Sequence, residues 1–295
     1  MRSQLFVPGD SEKKMNKGLE CGADCLFIDL EDSVAAPNKD SARRMAREFL
    51  TAARNRENRP LLYVRVNALD TGLTDRDLDA IMPGRPDGVL LPKSLGGADV
   101  QHLAAKLAVR EAENDIEDGV TRICCVATET AGAVFGLASY RGASRRLSAL
   151  TWGAEDLSAD LGAETNRLED GTHAPPYQLA RTLTLLAAVS AGVQPLDTVY
   201  PNFLDEAGFR RECIAARRDG FTGKMAIHPA QVPIINEVFT PPAAEILRAE
   251  KIVQAFVDNP NAGVIGLDGE MLDKPHLERA KKLLARVAGA KGYSA

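Results

Sequence analysis

The sequence predicts an α/β protein built as a (β/α)8 barrel, or TIM barrel, with a C-terminal helical extension. Short apolar runs alternate with longer stretches of helical period along most of the chain. There are eight such runs, and crossover helices between them require the strands to be parallel. A length of 295 residues also fits one barrel of about 250 residues with a short addition. An open doubly wound sheet is the alternative, but such sheets usually have fewer strands.

The predicted elements alternate strictly along the chain. The strands are expected at residues 4–8, 25–30, 61–67, 88–93, 122–128, 147–152, 195–200 and 224–228. The helices are expected at residues 11–20, 39–53, 75–81, 98–114, 131–140, 176–191, 205–218 and 230–238. Two prolines at 241 and 242 then stop the pattern, so residues 1–240 are predicted to form the barrel and residues 241–295 the extension. In the extension, helices at 243–257 and about 275–287 flank a glycine-rich stretch at 262–269.

The composition excludes several classes of protein. Hydrophobic residues make up 45% of the chain and charged residues 26%, which is enough to bury a large core and excludes disorder. A net charge of −5 and a pI near 5.5 offer no basic surface for nucleic acid or an anionic membrane, which favours a small-molecule partner. No apolar run reaches the roughly 18–20 residues that span a bilayer, and no signal peptide is visible, so a cytoplasmic protein is expected. The five cysteines form no disulfide or zinc pattern and are expected to be buried thiols.

Polar residues stand where the predicted strands end. In such barrels the side chains that do chemistry lie at the carboxyl ends of the strands. These ends carry Asp29, Glu31 and Asp32 on strand two, Arg65 and Asn67 on strand three, Lys93 on strand four, Glu129 on strand five, Glu155 and Asp156 on strand six, Asp197 and Asn202 on strand seven, and His228 on strand eight. Carboxylates and cations are therefore predicted to converge on one rim.

Several of these acids suit a divalent metal. Carboxylates that converge without cysteine or clustered histidine favour a hard cation, and Mg²⁺ typically takes one or two protein carboxylates with the rest from substrate and water. We predict Glu129 and Asp156 as the ligand pair because they follow neighbouring apolar strands, and Mn²⁺ is a possible substitute. The alternative for either residue alone is a solvated or salt-bridged loop acid.

Arg65 is the candidate cation of the rim. Strand alternation turns it toward the barrel interior with Tyr63 and Asn67, where an unpaired guanidinium would cost several kcal/mol. Its anionic partner is either Glu31 or Asp32, which would make it structural, or a substrate carboxylate or enolate oxygen. The functional interpretation is favoured.

Two glycine-containing loops and one histidine give weaker signals. The loops at 8–11 and 94–97 each lie between a strand and a helix, where backbone amides can cradle phosphate, although short loops need glycine in any case. His228 at a strand end is either a base or a buried, hydrogen-bonded residue. His102, His173 and His276 have no visible partner.

Ten short segments occur in order along nearly the whole chain. They are Leu-Phe-Val-Pro-Gly at 5–9, Asp-Leu-Glu-Asp-Ser-Val at 29–34, Val-Arg-Val-Asn-Ala-Leu at 64–69, Leu-Pro-Lys at 91–93, Glu-Thr-Ala-Gly at 129–132, Gly-Ala-Glu-Asp-Leu at 153–157, Asp-Thr-Val-Tyr at 197–200, Glu-Ala-Gly-Phe at 206–209, Gly-Lys-Met-Ala-Ile-His-Pro-Ala-Gln at 223–231 and Met-Leu-Asp-Lys-Pro at 271–275. Together they resemble the citrate lyase beta subunit group of the HpcH/HpaI aldolase superfamily, which includes malyl-CoA and citramalyl-CoA lyases.

The resemblance implies a Mg²⁺-dependent barrel that cleaves a 3-hydroxyacyl thioester by retro-Claisen chemistry. By position, Glu129 and Asp156 look like the metal ligands and Arg65 like the group that binds the thioester oxygen. Asp273 resembles an acid/base residue that reaches the site of an adjacent subunit, although it could instead cap the last helix. The resemblance thus points to a homo-oligomer, either a homotrimer or a homohexamer.

The substrate contacts are predicted from the same comparison. Glu31, Asp32 and Lys93 are expected to bind substrate together with Arg65. The first loop lacks the Arg-Pro pair that many relatives carry, so Lys13 and Lys14 are the candidates to hold the CoA phosphates.

The predicted partners are therefore a CoA thioester and a small 2-oxo acid. The expected reaction is conversion of L-malyl-CoA or citramalyl-CoA to acetyl-CoA and glyoxylate or pyruvate. A malyl-CoA thioesterase and a citrate lyase beta subunit that acts on a carrier-protein thioester are the alternatives.

Overall fold

The computed structural model describes residues 1–292, and the chain divides into two compact units. The first unit, Met1–Phe239, contains eight parallel strands that close into a barrel in chain order. The second unit begins at Thr240. The prediction of a (β/α)8 barrel is confirmed, and the alternative of an open sheet is excluded because the first strand pairs with the eighth.

The elements of the barrel alternate as the sequence pattern predicts. The strands are β1 Ser3–Pro8, β2 Cys25–Asp29, β3 Leu61–Arg65, β4 Gly88–Leu91, β5 Arg122–Val126, β6 Leu147–Thr151, β7 Gln194–Asp197 and β8 Gly223–Ala226. The α-helices are α1 Glu12–Glu20, α2 Lys39–Ala53, α3 Thr74–Ile81, α4 Gly97–Glu113, α5 Ala131–Gly136, α6 Ala154–Leu161, α7 Pro175–Ala191, α8 Glu206–Asp219 and α9 Gln231–Phe239.

Most strands end earlier than predicted, and one helix was not predicted. Strand β4 ends at Leu91 and β8 at Ala226, two residues before the polar residues that the sequence placed in them. These polar rim residues lie in the loops that follow the strands, because strand pairing ends with the last apolar residues. Helix α6 begins after Gly153 and ends before Gly162, which has a left-handed φ of 64°.

Alternate residues of the strands face two different cores. The barrel interior is filled by Cys25, Phe27, Tyr63, Leu90, Cys124, Val126, Ala149, Leu196 and Met225. The residues between them, such as Leu26 and Val64, pack against the surrounding helices. Asp29 and Arg65 share the interior phase of Phe27 and Tyr63, so their side chains close the C-terminal end of the interior.

Asp197 does not belong to the rim, contrary to the sequence prediction. It lies two residues from Pro195 and out of phase with the interior residue Leu196, so it faces the helix layer. There its carboxylate accepts hydrogen bonds from Trp152 Nε1 at 2.8 Å and from the buried Lys224 Nζ at 2.8 Å. Asp197 is therefore part of a buried ion-pair network that ties β7 and β8 to the helices.

His173 packs beside this network with no hydrogen-bond partner at either ring nitrogen. Its ring meets Trp152 edge-on at 4.9 Å, and burial together with the nearby Arg167 lowers the pKa of His173 to about 4. The unfolded chain has a histidine pKa of about 6.5. Between these two pKa values His173 is protonated in the unfolded chain and neutral in the folded protein. The free energy of unfolding therefore decreases as the pH drops through this range.

We expect His173→Phe to reduce the acid sensitivity of the fold. Between pH 7.5 and pH 5, the wild type should lose about 2 kcal/mol more of its free energy of unfolding than the variant. Urea titrations followed by the fluorescence of Trp152, the single tryptophan, measure the difference. His102→Gln, on the exposed face of α4, is the control. Equal pH dependence in wild type and His173→Phe would contradict the assignment.

The second unit is a pair of helices with a hairpin between them. It consists of α10 Ala243–Asp258, β9 Val264–Leu267, β10 Glu270–Asp273 and α11 Lys274–Gly292. Its core contains Ala249, Ile252, Phe256, Ile265, Leu272 and Ala280. The antiparallel hairpin was not predicted, and its two turn residues, Asp268 and Gly269, both have positive φ, at 51° and 83°.

Membrane insertion finds no support in the part of the chain that the structure describes. None of the helices within residues 1–292 combines the length and the hydropathy that crossing a bilayer requires.

Candidate active site

The C-terminal rim of the barrel gathers most of the predicted site residues. Glu31 and Asp32 follow β2, Arg65 ends β3, Lys93 follows β4, Glu129 follows β5 and Asp156 follows β6. Contacts between successive loops join them into one acidic cluster with two cations.

Arg65 is held mainly by Asp29, which was not predicted as its partner. Arg65 Nε and Nη2 donate to the two Asp29 oxygens at 2.7 and 2.6 Å, and Nη1 lies 2.9 Å from Glu31 Oε2. The guanidinium also lies 5.0 Å from the ring centroid of Phe6. Burial alone would raise the pKa of Asp29, but the bonds from Arg65 outweigh burial and hold this pKa below its usual range. The arginine is therefore rigid and charged.

Asn67 does not accompany Arg65 into the interior, and that prediction is wrong. Its side chain donates to Asp77 Oδ2 of α3 at 2.7 Å and to Leu30 O at 3.1 Å, and it accepts from Lys39 Nζ at 2.8 Å. Lys39 also donates to the backbone oxygens of Leu30 and Glu31, both at 2.7 Å. Asn67 and Lys39 thus fix the backbone of the loop that carries Glu31.

Lys93 is at the centre of the cluster. Its ammonium donates to Glu31 Oε1 and lies 3.2 Å from Asp32 Oδ2 and 3.7 Å from Asp156 Oδ1. Its backbone N–H donates to Glu129 Oε2. Burial opposes the charge on Lys93, but the hydrogen bond to Glu31 prevails and raises the pKa of the ammonium.

Glu129 is a buried carboxylate without a cationic partner. The residue is 3% exposed, and among residues 1–288, whose side chains the structure describes, no lysine or arginine side chain forms an ion pair with its carboxylate. Burial, reinforced by the charges of Asp156 and Glu31, raises the pKa of Glu129 to about 8. This carboxylate is stabilised by any cation that binds beside it.

Asp156 lies in the first turn of α6 and not in a strand end as predicted. Its side chain is 37% exposed, and it acts electrostatically on Glu129 across the neighbouring strands β5 and β6. Within the described residues no three His, Cys, Asp or Glu side chains form a metal cluster. Two carboxylates without a cysteine or histidine beside them nevertheless fit Mg²⁺ better than zinc, and the burial of Glu129, which disfavours its ionised form unless a cation binds beside it, agrees with this fit.

Gly153 lets the side chain of Glu129 pack against the start of α6. A Cβ atom at this position would lie 2.6 Å from Glu129 Cγ, which is closer than side chains pack. The backbone of Gly153 is extended, with φ −117°, so its lack of a side chain is required by packing and not by strain. Glu129 and the start of α6 are therefore in direct contact.

We expect Gly153→Ala to impair the site by displacing Glu129. Turnover with Mg²⁺ should fall about tenfold, less than the 10²-fold that a full 1 Å misplacement can cost. Gly132→Ala is the matched control, because a Cβ at Gly132 in the adjacent α5 meets nothing within 4 Å. Steady-state rates at saturating Mg²⁺ compare the two variants. A Gly153→Ala rate within threefold of wild type would show that the contact is unimportant.

Several predicted residues lie away from the acidic cluster. Glu155 and Asn202 are exposed, and Lys13 and Lys14 are exposed in the first turn of α1, which begins at the same barrel end. His228 stacks on Phe203 with ring centroids 4.7 Å apart, and its Nδ1 accepts from Ala230 N at 3.2 Å.

The two glycine loops have a structural explanation. Gly9 N donates to Asp29 O at 2.8 Å, and Gly97 N donates to Ser139 Oγ at 2.8 Å. A Cβ at Gly9 would lie 2.7 Å from Asp29 O. These amides are engaged within the protein, so the loops need glycine for close packing and are poor phosphate cradles.

Asp273 belongs to the second unit, where it ends β10. Its Oδ1 lies 2.5 Å from His276 Nδ1, a partner that the sequence did not reveal. Hydrogen bonding from the His276 ring holds the pKa of Asp273 below its usual value. Asp273 is therefore held locally at the start of α11.

The fold and the rim define a class of protein, the barrel enzymes whose strand-end carboxylates and cations surround a small-molecule site. The sequence matches the HpcH/HpaI aldolase/citrate lyase family over residues 2–229, and a C–C bond lyase of the TIM-barrel fold over residues 178–292. It is 36% identical to citrate lyase subunit beta of Escherichia coli strain K12, over 97% of this chain and 92% of that protein. The chain belongs to the HpcH/HpaI aldolase/citrate lyase family.

Two further similarities show the range of the family. The chain is 34% identical to (3S)-malyl-CoA thioesterase of Cereibacter sphaeroides, over 100% of this chain and 97% of that protein. The crystal structure of protein CitE from Mycobacterium tuberculosis, in complex with magnesium, acetoacetate and coenzyme A, aligns with a TM-score of 0.77 and 29% identity. That alignment covers 97% of this chain and 98% of CitE. The resemblance to citrate lyase beta subunits is confirmed, and the relatives include both lyases and thioesterases.

Proposed function

We propose that this chain is a Mg²⁺-dependent acyl-CoA lyase that cleaves or forms a carbon–carbon bond in a 3-hydroxyacyl-CoA. The substrate is L-malyl-CoA or citramalyl-CoA, and the products are acetyl-CoA and glyoxylate or pyruvate. The observation that carries the proposal is the buried Glu129, which forms no ion pair with a described lysine or arginine side chain and lies close enough to Asp156 for the two carboxylates to interact electrostatically. The complex of CitE with magnesium, a small acid and coenzyme A supports it.

Glu129 and Asp156 would hold the metal, with Mn²⁺ as a possible substitute. When bound, Mg²⁺ polarises the carbonyl of the 2-oxo acid and offsets charge on its oxygen, a contribution of several kcal/mol. The Lys93 amide, which donates to Glu129 Oε2, fixes the orientation of this ligand. The contact with Gly153 limits its movement from the other side.

Arg65 would stabilise the charge that cleavage produces. The bond between the hydroxyl-bearing carbon and the thioester α-carbon breaks, its electron pair passes to the thioester as an enolate, and the hydroxyl proton moves to a base. Asp29 and Glu31 engage one N–H on each guanidinium nitrogen, and further N–H groups remain on the terminal nitrogens. These groups can donate to the enolate oxygen as oxyanion-hole donors do.

The other predicted residues would bind the ends of the substrate. The Lys93 ammonium would bind the carboxylate of the 2-oxo acid fragment. Glu31 and Asp32, which form ion pairs with Lys93, would orient this ammonium. Lys13 and Lys14, which are exposed in the first turn of α1, are proposed to meet the CoA phosphates.

Asp273 is proposed as the proton carrier for the site of a neighbouring subunit in a homo-oligomer. The described rim residues include no dedicated acid/base group with a free side chain, since His228 is stacked on Phe203. Asp273 is half exposed, and its Oδ1 lies 2.5 Å from His276 Nδ1. It stands in the second unit, residues 241–295 in the sequence prediction, which would cover the rim of the next copy.

Subunit mixing tests this role of Asp273. We expect Asp273→Ala and Glu129→Gln chains to be inactive alone and to recover activity when their subunits exchange. In a mixed oligomer the Asp273→Ala chain supplies an intact Glu129, and the Glu129→Gln chain supplies Asp273 to that site. Mass spectrometry of the mixed oligomers confirms exchange. Exchange without recovery would show that the site is not shared, and full activity of Asp273→Ala alone would leave Asp273 only as a helix cap.

The relatives favour two alternative reactions. The similarity to (3S)-malyl-CoA thioesterase supports attack by water on the thioester at the same site. The similarity to citrate lyase subunit beta supports action on a carrier-protein thioester, in which case the isolated chain would not act on free CoA esters. Incubation with malyl-CoA and citramalyl-CoA, with glyoxylate, pyruvate and free CoA measured separately, tests the proposal. Free CoA without a 2-oxo acid indicates the thioesterase, and no product indicates the carrier-protein substrate.

A further inference from the structure

Lys93 presents two different groups to the acidic cluster. Its backbone N–H donates to Glu129 Oε2, and its side-chain ammonium lies among the carboxylates of Glu31, Asp32 and Asp156. The backbone of Lys93 has a left-handed φ of 51°, which costs roughly 1–2 kcal/mol in a residue other than glycine. Such a conformation persists only where the surroundings fix it, and here both ends of the residue are tied to carboxylates.

The ammonium of Lys93 neutralises a residue that the proposed metal also needs. Lys93 Nζ lies 3.7 Å from Asp156 Oδ1, and no other lysine or arginine of the described chain forms an ion pair with Asp156. Glu129 is buried, with 3% of its surface exposed, and it forms no ion pair with any described lysine or arginine side chain. A divalent cation that binds between Glu129 and Asp156 therefore meets the positive charge of Lys93 at one of its two ligands.

We propose that Lys93 competes with the divalent cation for Asp156 and thereby sets the metal affinity of the site. The proposal rests on the proposed ligands, Glu129 and Asp156. Two positive charges that share one carboxylate repel each other, and this repulsion is large at a partly buried site where water screens it poorly. The amide and the ammonium of Lys93 have opposite effects on metal affinity. The amide positions Glu129 for the metal, whereas the ammonium weakens the binding of the metal to Asp156.

Calorimetric titration with MgCl₂ alone, at constant ionic strength, tests the competition. Lys93→Met removes the charge, keeps an unbranched side chain of similar length and retains the backbone N–H that holds Glu129. We expect its dissociation constant for Mg²⁺ to be about tenfold lower than that of the wild type. Lys93→Arg, which keeps the charge, should bind Mg²⁺ within threefold of the wild type.

The control for the change in total charge is Lys106→Met. Lys106 lies on α4, where its ammonium pairs with Asp75 at 2.8 Å and has no contact with the rim acids. Its dissociation constant for Mg²⁺ should stay within twofold of the wild type. Tighter binding by Lys93→Met, but not by Lys106→Met, supports the proposal.

Two results would overturn it, and they separate it from the proposed function. If the wild type binds Mg²⁺ and Lys93→Met binds it no more than threefold tighter, Lys93 does not compete, while the metal ligands stand. If neither protein binds Mg²⁺ and Glu129→Gln behaves the same, both the competition and the metal site are wrong. Substrate turnover is not needed for either conclusion.

Discussion

Glu129→Gln and Asp156→Asn are each expected to abolish Mg²⁺-dependent turnover while the fold stays intact. Each variant replaces a charged oxygen ligand by a neutral amide, and the lost metal contribution of several kcal/mol corresponds to a decrease of at least about 10³-fold. Glu129→Gln should also unfold at a temperature no lower than the wild type without metal, because burial already disfavours the ionised carboxylate and glutamine keeps an oxygen that can accept from the Lys93 amide. Steady-state rates and thermal unfolding measure both effects.

The chain offers a control one residue away. Glu155→Gln changes the same charge in the same turn of α6, but Glu155 is exposed and takes part in none of the cluster contacts described. Its activity should equal that of the wild type within twofold. Wild-type rates that are the same in EDTA and in Mg²⁺ would remove the basis for the metal assignment.

Arg65→Lys is expected to lower kcat by about 10²-fold, the scale of a lost oxyanion-hole donor. A lysine keeps the charge but cannot hold both oxygens of Asp29 and still reach a substrate oxygen with a planar group. Mg²⁺ affinity, measured by calorimetry, should stay within threefold of the wild type. The loss then belongs to the chemical step and not to metal binding.

Arg59→Lys tests whether any bidentate arginine is equally sensitive. Arg59 pairs with Asp87 through two nitrogens, at 2.5 and 3.0 Å, just before β3 at the opposite end of the strand from Arg65. We expect full activity from this control. If Arg65→Lys itself retained a rate within threefold of the wild type, Arg65 would be only a structural partner of Asp29 and Glu31.

The barrel could be predicted because apolar strands and amphipathic helices alternate eight times along the chain. Two short elements that interrupt or follow this alternation could not be predicted in the same way. All eight strands come from apolar runs that are buried on both faces. Such runs can be recognised in the sequence without knowing which residues contact each other. Helix α6 was missed because it has only eight residues, and two acids in its first turn resemble a polar loop. The hairpin was missed although Asp268-Gly269 between two short apolar segments is a strong turn signal.

The site was predictable in its location but not in its pairings. Asp29 could have been identified as the partner of Arg65, since both continue the interior phase of their strands and stand side by side in the parallel register. The same phase argument would have removed Asp197 from the rim, because Leu196 next to it faces inward. The contact of Lys93 with Asp156 had no such signal, since both residues lie beyond the strands, where loop conformation decides position.

The amide link between Lys93 and Glu129 and the contact between Gly153 and Glu129 bind three successive βα units at the rim. A half-barrel that ends at the loop after β4 would contain the Lys93 amide without Glu129, and one that starts at β5 would contain Glu129 and Asp156, the proposed metal ligands, without the Lys93 amide. The complete set of contacts around Glu129 therefore requires both halves of the barrel. Residues 114–121 connect α4 to β5 at the barrel end opposite the rim. A circular permutant with its new termini in this loop still contains Lys93, Glu129 and Gly153 in one chain, so we expect it to keep their contacts and its activity.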